Sequence, residues 1–360
     1  MKLPLEGGRL LVTGGAGFVG ANLACGLRAR HPQLEVVALD NLRRRGSELN
    51  LPRLRAAGVR FQHGDIRNPE DLDSAGPADV VIECSAEPAV LAGYGADRRY
   101  LLNTNLVATL NCLEHAVRHG AALVFLSTSR VYPIEPINAL AWTESATRYD
   151  LAPAPGTVGA SRAGIGLDFP LTGHRSLYGT TKLCAELLIA EYVAAQGLRA
   201  VINRCGVIAG PWQMGKVDQG VASHWLMAHR FGRPLSYIGY GGSGKQTRDF
   251  LHVDDLLDLI ELQLGALDRI NGETFNVGGG LANTLSLLEL TALCREITGR
   301  TLDIPPDPRD RPGDLRFFIT DISSVERRLG WRPRRSVRQL LADLDAWLQR
   351  HATQLEESLK

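Results

Sequence analysis

Net charge is nearly absent from this sequence. Its 40 lysines and arginines are balanced by 39 aspartates and glutamates, a formal charge of +1. A nucleic-acid partner normally demands a clear basic excess, so that class is disfavoured. The basic runs Arg43-Arg44-Arg45 and Arg334-Arg335 are short, and such runs are usually solvated faces or single phosphate contacts. Cysteine is scarce too. Cys25, Cys84, Cys112, Cys184, Cys205 and Cys294 include no CxxC pair and no zinc pattern with histidine, so no metal is expected. No apolar run is long enough to span a bilayer. Met1–Gly8 holds no long apolar core of the kind a secretory signal carries. The expectation is a cytoplasmic enzyme without a membrane, nucleic-acid or metal partner.

Alternation is what the sequence has. Its 360 residues are 44% hydrophobic, enough for one large α/β unit or two domains. Apolar runs at residues 9–13 (RLLVT), 34–39 (LEVVAL), 79–84 (DVVIEC) and 122–127 (ALVFLS) read as strands, with a shorter one at 60–62 and another at 200–203. Helical patterns cover residues 18–30, 100–119 and 176–196. Strands alternating with helices predict βαβ units and a doubly wound parallel sheet, an α/β fold. Residues 133–174 are rich in Pro, Gly and Ala without a clear period, the mark of a long functional or mobile loop.

The first strand runs into Thr13-Gly14-Gly15-Ala16-Gly17-Phe18-Val19-Gly20. Gly14 allows a tight turn, Gly17 lets backbone approach a pyrophosphate, and Gly20 lets helix pack closely on strand. A helix N-terminus here offers N–H groups and partial positive charge to phosphates. Asp40 ends the second strand, where a carboxylate accepts from ribose hydroxyls and repels a 2′-phosphate. NAD is therefore favoured over NADP, although Arg43–Arg45 stand near enough to hold such a phosphate.

Tyr178-Gly179-Thr180-Thr181-Lys182 puts a phenol and an ammonium on one helix face. Tyrosine is a poor base at neutral pH, and a neighbouring cation lowers its pKa. A hydroxyl from Ser127-Thr128-Ser129, at the end of the fifth strand, completes the set by bonding the reacting oxygen.

With these signals in order, the chain resembles the extended short-chain dehydrogenase/reductases, the NAD-dependent nucleotide-sugar epimerase and dehydratase family, from Arg9 to about Trp331. The resemblance implies a Rossmann domain, a tightly held NAD and a nucleotide-diphosphate sugar as substrate. It implies that Thr128, Tyr178 and Lys182 are catalytic. It gives Phe18, Val19, Asn41, Leu42, Asp65, Ile66, Ala86 and Asn105 to the cofactor alongside the glycines and Asp40, and it implies a homodimer formed by the helices at 100–119 and 176–196. In the second of these, Leu187, Leu188 and Tyr192 are candidates for a partner-facing stripe, or equally for core. The expected division is a dinucleotide domain of residues 1–207, rejoined by 247–270, and a smaller, mainly C-terminal substrate domain of 208–246 and 271–360.

Several stretches are similar to the family's sugar 2-epimerases: residues 40–42, HGDIRN at 63–68, Leu167-Asp168-Phe169, Asp218-Gln219-Gly220, GKQTRD at 244–249 and SLLEL at 286–290. They imply oxidation at C2 to a transient ketone and return of hydride to the opposite face. A 4-epimerase, a dehydrogenase, or a non-catalytic NAD sensor on the same fold are the competing readings. Arg248 and Arg311 are candidates for the diphosphate, because guanidinium forks match phosphate oxygens; their other reading is an ion pair. Ser129 and Arg130 stand where the dehydratases of the family carry an acidic pair. The family's His-x-Ala at the fourth strand is Glu83-Cys84-Ser85 here. Glu87 replaces a neutral residue and reads either as a second acid/base on the substrate or as a partner for Arg130. Val207 stands where the family usually has a substrate-holding Asn.

Overall fold

A computed structural model of the chain describes residues 5, 7–94, 98–215, 219–353 and 355. Met1–Pro4, Glu6 and the Asp218 of Asp218-Gln219-Gly220 lie outside the described residues.

The apolar runs form the strands they predict: β1 (Arg9–Thr13), β2 (Glu35–Asp40), β3 (Arg60–His63), β4 (Val80–Glu83), β5 (Ala122–Thr128) and β6 (Ala200–Cys205), joined by β7 (Thr274–Val277). They make one seven-stranded sheet in the order β7-β6-β5-β4-β1-β2-β3. Strands β3, β2, β1, β4 and β5 run parallel. The chain steps outward in one direction from β1 to β3 and in the other from β4, so the order reverses beside β1, the point at which such sheets bind ligands.

Continuous burial of β1, β4 and β5 follows from covering both faces. On one face Leu11, Val37, Val81, Leu123, Phe125 and Ile202 share a core with Cys112 and Leu113 of helix α2 (Ala108–His119) and Ala185 and Ile189 of helix α3 (Leu177–Gln196). On the other face lies helix α1 (Phe18–Arg30), where Gly26 leaves room for Leu257.

Two compact units emerge. The first comprises Met1–Thr128, Leu177–Arg204 and Leu256–Phe275. The second comprises Ser129–Ser176, Cys205–Asp255 and Asn276–Lys360, within the limits of the described residues. Its centre is Thr247–His252, parallel to Val207–Ala209 and Phe317–Phe318 and antiparallel to Thr284–Ser286. A capping box between Ser286 and Glu289 starts the helix Leu287–Thr298.

The stretch 129–176, which the sequence reading places with the dinucleotide domain, clusters with the second unit. Specific bonds hold it there. Thr247 Oγ1 donates to Tyr149 O (2.6 Å), Ile165 N to Ile319 O (2.8 Å) and Asn276 Nδ2 to Ile165 O (3.0 Å). Arg148 pairs with Glu289 at 2.6 Å. No periodicity signals such contacts.

Candidate active site

The turn after β1 is set by steric necessity. Gly14 has φ 62°, and a Cβ there would lie 2.9 Å from the backbone of Cys84 and Ser85. A Cβ on Gly20 would sit 2.1 Å from Gly14 O. Gly15, to which the triplet reading gives no task, is also obligatory, since its Cβ would lie 2.6 Å from Ala38 Cα. Gly17 is different. Its Cβ would meet only Gly14 O, at 3.1 Å, and Gly14 C at 4.0 Å. The space over Gly17 is therefore a cradle that a side chain would fill. α1 starts there at Phe18 with no side-chain cap and no acidic residue in its first turn, which leaves N–H groups of that turn for an anion. Asn50, buried and missed by motif reading, pins the turn by donating to Ala16 O (2.9 Å).

Asp40 stands beside this turn. Its Oδ2 accepts from Ala16 N (3.1 Å) and its Oδ1 from Leu42 N (2.8 Å), and Leu42 adopts φ 54°. Burial pushes the carboxyl up, and the bonds from Leu42, Ala16 and Gly17 oppose it. Three acceptances from the backbone leave a lone pair of the carboxylate for a further donor. Asn41 Nδ2 donates to Asp65 Oδ2 (2.8 Å), and Arg67 grips the same carboxylate through Nε (2.9 Å) and Nη2 (2.6 Å). Burial raises Asp65, yet Arg67 and Asn41 outweigh it and hold the carboxyl at about 2. Ile66 is buried, and its carbonyl accepts from Asn111 Nδ2. Arg43 lies 3.9 Å from the centroid of the Tyr100 ring, stacked on an aromatic face.

Beyond β4 the chain is tied to a π-helical turn, Asn103–Val107, an irregularity often found at functional sites. Asn105 within it is fully buried. It accepts from Glu87 N (2.8 Å) and donates to Glu87 O (3.1 Å), fixing the loop that carries Ala86. The same Nδ2 reaches Thr181 Oγ1 at 3.4 Å. Glu87 turns its Oε1 to Ala89 N (3.3 Å).

Thr128 is the last residue of β5, Tyr178 the second of α3, and Lys182 lies one turn further on; all three are buried. Lys182 Nζ is 4.2 Å from the centroid of the Phe125 ring. A buried network adjoins them: Ser127 Oγ donates to Glu186 Oε1 (2.5 Å), and Arg204 Nη2 pairs with Glu186 Oε2 (2.8 Å). The spacing of Glu186, four residues after Lys182, was a usable signal; Arg204 had none.

In the second unit the side chains of Arg130 and Arg248 reach one turn, the one that carries Arg311, whose carbonyl accepts from Asp314 N (3.2 Å). Arg130 Nη1 donates to Gly313 O (3.0 Å). Arg248 Nη2 pairs with Asp314 Oδ1 (2.9 Å) and donates to Leu315 O (2.7 Å). That pair is half-buried. Ser129 opens the short turn that carries Arg130. Burial and Asp314 push the nearby Tyr240 phenol up to about 12.

Among the described residues Asp73, His115 and His119 bring possible ligand atoms within 4.8 Å of one another, with Arg118 already paired to Asp73. Among them, too, no helix is long and apolar enough to cross a membrane.

A sheet of this order with this turn at its first strand is a dinucleotide-binding Rossmann fold. Residues 10–278 match the model of the NAD dependent epimerase/dehydratase family. CDP-paratose 2-epimerase of Salmonella typhi is 31% identical over 357 residues, covering 94% of this chain and 98% of that protein. A double-mutant dTDP-glucose 4,6-dehydratase from Streptomyces venezuelae, solved with NAD bound, is 28% identical at a TM-score of 0.78, covering 97% of this chain and 99% of that one. UDP-glucose 4-epimerase from Thermus thermophilus, in complex with NAD, is 26% identical at a TM-score of 0.75, covering 95% and 99%. The chain belongs to the NAD-dependent epimerase/dehydratase family and is an enzyme with NAD as its cofactor.

Proposed function

We propose that this enzyme epimerises a nucleotide-linked sugar at C2, with a CDP-sugar as substrate. The observation that carries the reading is the similarity to CDP-paratose 2-epimerase along 94% of the chain, in a protein that keeps Thr128, Tyr178 and Lys182 and follows Thr128 with Ser129-Arg130 rather than an acidic pair.

The cofactor fits the residues present. Gly17 leaves the open cradle, the backbone of Phe18, Val19 and Gly20 would hold the phosphates, and Asp40 would accept from a ribose hydroxyl. Asn41, Leu42, Asp65 and Ile66 would hold the adenosine end, and Ala86, in the loop that Asn105 fixes through Glu87, the other. Bound NAD supplies acceptance and return of hydride. The chain's own residues do the rest. Tyr178 takes the proton of the C2 hydroxyl and later gives it back, the Lys182 ammonium stabilises the phenolate, and Thr128 steadies the reacting oxygen. Arg130, Arg248 and Arg311, gathered on one turn, hold the diphosphate of the sugar so that the transient ketone is not lost. Glu87 faces the sugar from the loop Asn105 fixes.

Screening CDP-, GDP-, UDP- and TDP-sugars by mass spectrometry and NMR tests this. The expected result is a C2 epimer from a CDP-sugar, with no net NADH. Conversion of UDP-sugars at C4, or accumulation of NADH, would contradict it.

The chain acts as a homodimer in the cytoplasm, with no nucleic-acid or membrane partner. Leu187 (62% exposed) on α3, with Val107 at the end of the π-helical turn and Leu110 in α2, offers apolar side chains for a partner helix pair. Leu188 and Tyr192 instead pack on the core, and Tyr192 donates to Glu114. Near-zero net charge and the lack of a disulfide among the six cysteines fit that setting. Leu187→Glu is expected to convert the dimer to monomer in sedimentation velocity; a dimer that persists unchanged would contradict this interface.

A further inference from the structure

Glu83 is a buried carboxylate that the reading above does not use, at a point where the resembled family carries histidine. Side chains alternate along β4, and Val81 belongs to the core shared with α2 and α3, so Glu83 faces the same way. Its register neighbours are Thr13 on β1 and Phe125 on β5. From α2, Thr109 donates to Glu83 Oε1 (2.6 Å) and the Cys112 thiol faces it. From α3 comes Lys182, its Nζ 4.2 Å from the centroid of that same Phe125 ring. Glu83 is 0% exposed and Lys182 2%. Glu83 Oε2 and Thr13 Oγ1 have no hydrogen-bond partner among the described residues.

Burial pushes the Glu83 carboxyl up, while Lys182 first, then Thr109 and Cys112, pull it down. Burial and the neighbouring Glu83 hold the Cys112 thiol well above its ordinary value, so it stays neutral. The charge that faces Glu83 is that of Lys182.

We infer that Glu83 is a positioning residue for the reaction: its carboxylate is the buried counterion that keeps Lys182 an ammonium beside Tyr178. The inference rests on reading Tyr178 and Lys182 as the acid–base pair. A lysine this buried tends to shed its proton to escape desolvation. A carboxylate in the same dry environment opposes that loss, and few other groups could, because bulk water does not reach it. The same negative charge also opposes ionisation of the phenol. Removing it therefore favours proton loss from both groups. Both limbs of the pH–activity profile, phenol ionisation on the acid side and lysine deprotonation on the alkaline side, should move to lower pH. The alkaline limb should move further, because Glu83 acts on Lys182 directly.

The test compares Glu83→Gln and Glu83→Asp with the parent enzyme. One readout is the pH dependence of kcat/KM on the CDP-sugar. The other is the ultraviolet titration of the Tyr178 phenolate, taken as the difference from Tyr178→Phe, which needs no substrate. For Glu83→Gln the alkaline limb is expected to fall by about one pH unit, a tenfold change in proton affinity, and the phenolate to appear at lower pH. Glu83→Asp should keep the parent limbs. A Gln variant that is slower at every pH with unmoved limbs, or an Asp variant that shifts as Gln does, would overturn the inference. If Glu83→Gln does not fold, Glu83→His installs the family's residue, neutral at alkaline pH, and is expected to lower the alkaline limb likewise; an unmoved limb overturns the inference there too. Lys182→Met separates the two layers. A Tyr178 titration indifferent to Lys182 defeats the acid–base reading itself, whereas one that responds to Lys182 but not to Glu83 defeats only the inference.

Discussion

Tyr178→Phe is expected to lower turnover by about 10²–10⁴-fold, the range a positioned proton-transfer group contributes, while the protein keeps its fold. Tyr178 is 8% exposed at the start of α3, and phenylalanine fills the same space without the hydroxyl. The lost atom is the one that must exchange a proton with the sugar. KM for the nucleotide sugar should change far less than kcat, because the diphosphate is assigned to Arg130, Arg248 and Arg311. Steady-state kinetics with matched thermal unfolding curves check this. Undiminished turnover would remove Tyr178 from the chemistry.

Gly20→Ala is expected to abolish stable NAD binding and to destabilise the protein by about 1–3 kcal/mol or more, the ordinary cost of overpacking. The new methyl would sit 2.1 Å from Gly14 O, 2.8 Å from Gly14 C and 2.9 Å from Gly15 Cα. Those are backbone atoms, so no side chain can swing aside, and the turn that cradles the dinucleotide must move. Gly17→Ala is the contrast. Its methyl comes no closer than 3.1 Å, to Gly14 O, so unfolding should change much less than in Gly20→Ala while NAD affinity falls. Calorimetric titration with NAD and thermal unfolding of both variants separate the two effects. Equal loss of stability in both would mean that the cradle over Gly17 is packing rather than ligand space.

Both predictions rest on features the sequence displays openly. β1, its glycine turn, Asp40 and the Tyr178–Lys182 spacing are local patterns, and local backbone geometry places them. Less visible is whatever depends on partners far along the chain. Gly15 needs to be glycine partly because β2 brings Ala38 against it, beside the local clash with Val12 O. The stretch 129–176 declares its allegiance through Tyr149, Ile165 and Arg148, whose partners lie about 100 to 150 residues later. The partner of Arg248, Asp314, lies 66 residues further on, so no local pattern announces it. Glu83 stood out in sequence only as a departure; its burial beneath Lys182 and Thr109 gives the departure a physical sense.

The most direct measurement uses a CDP-sugar carrying deuterium at C2, incubated with the enzyme in ordinary water. Redox epimerisation returns the same hydrogen to the opposite face, so the product should retain nearly all of the label. Washout of the label into solvent would mean that C2 loses a proton rather than hydride, and that Tyr178 and Lys182 serve a different reaction.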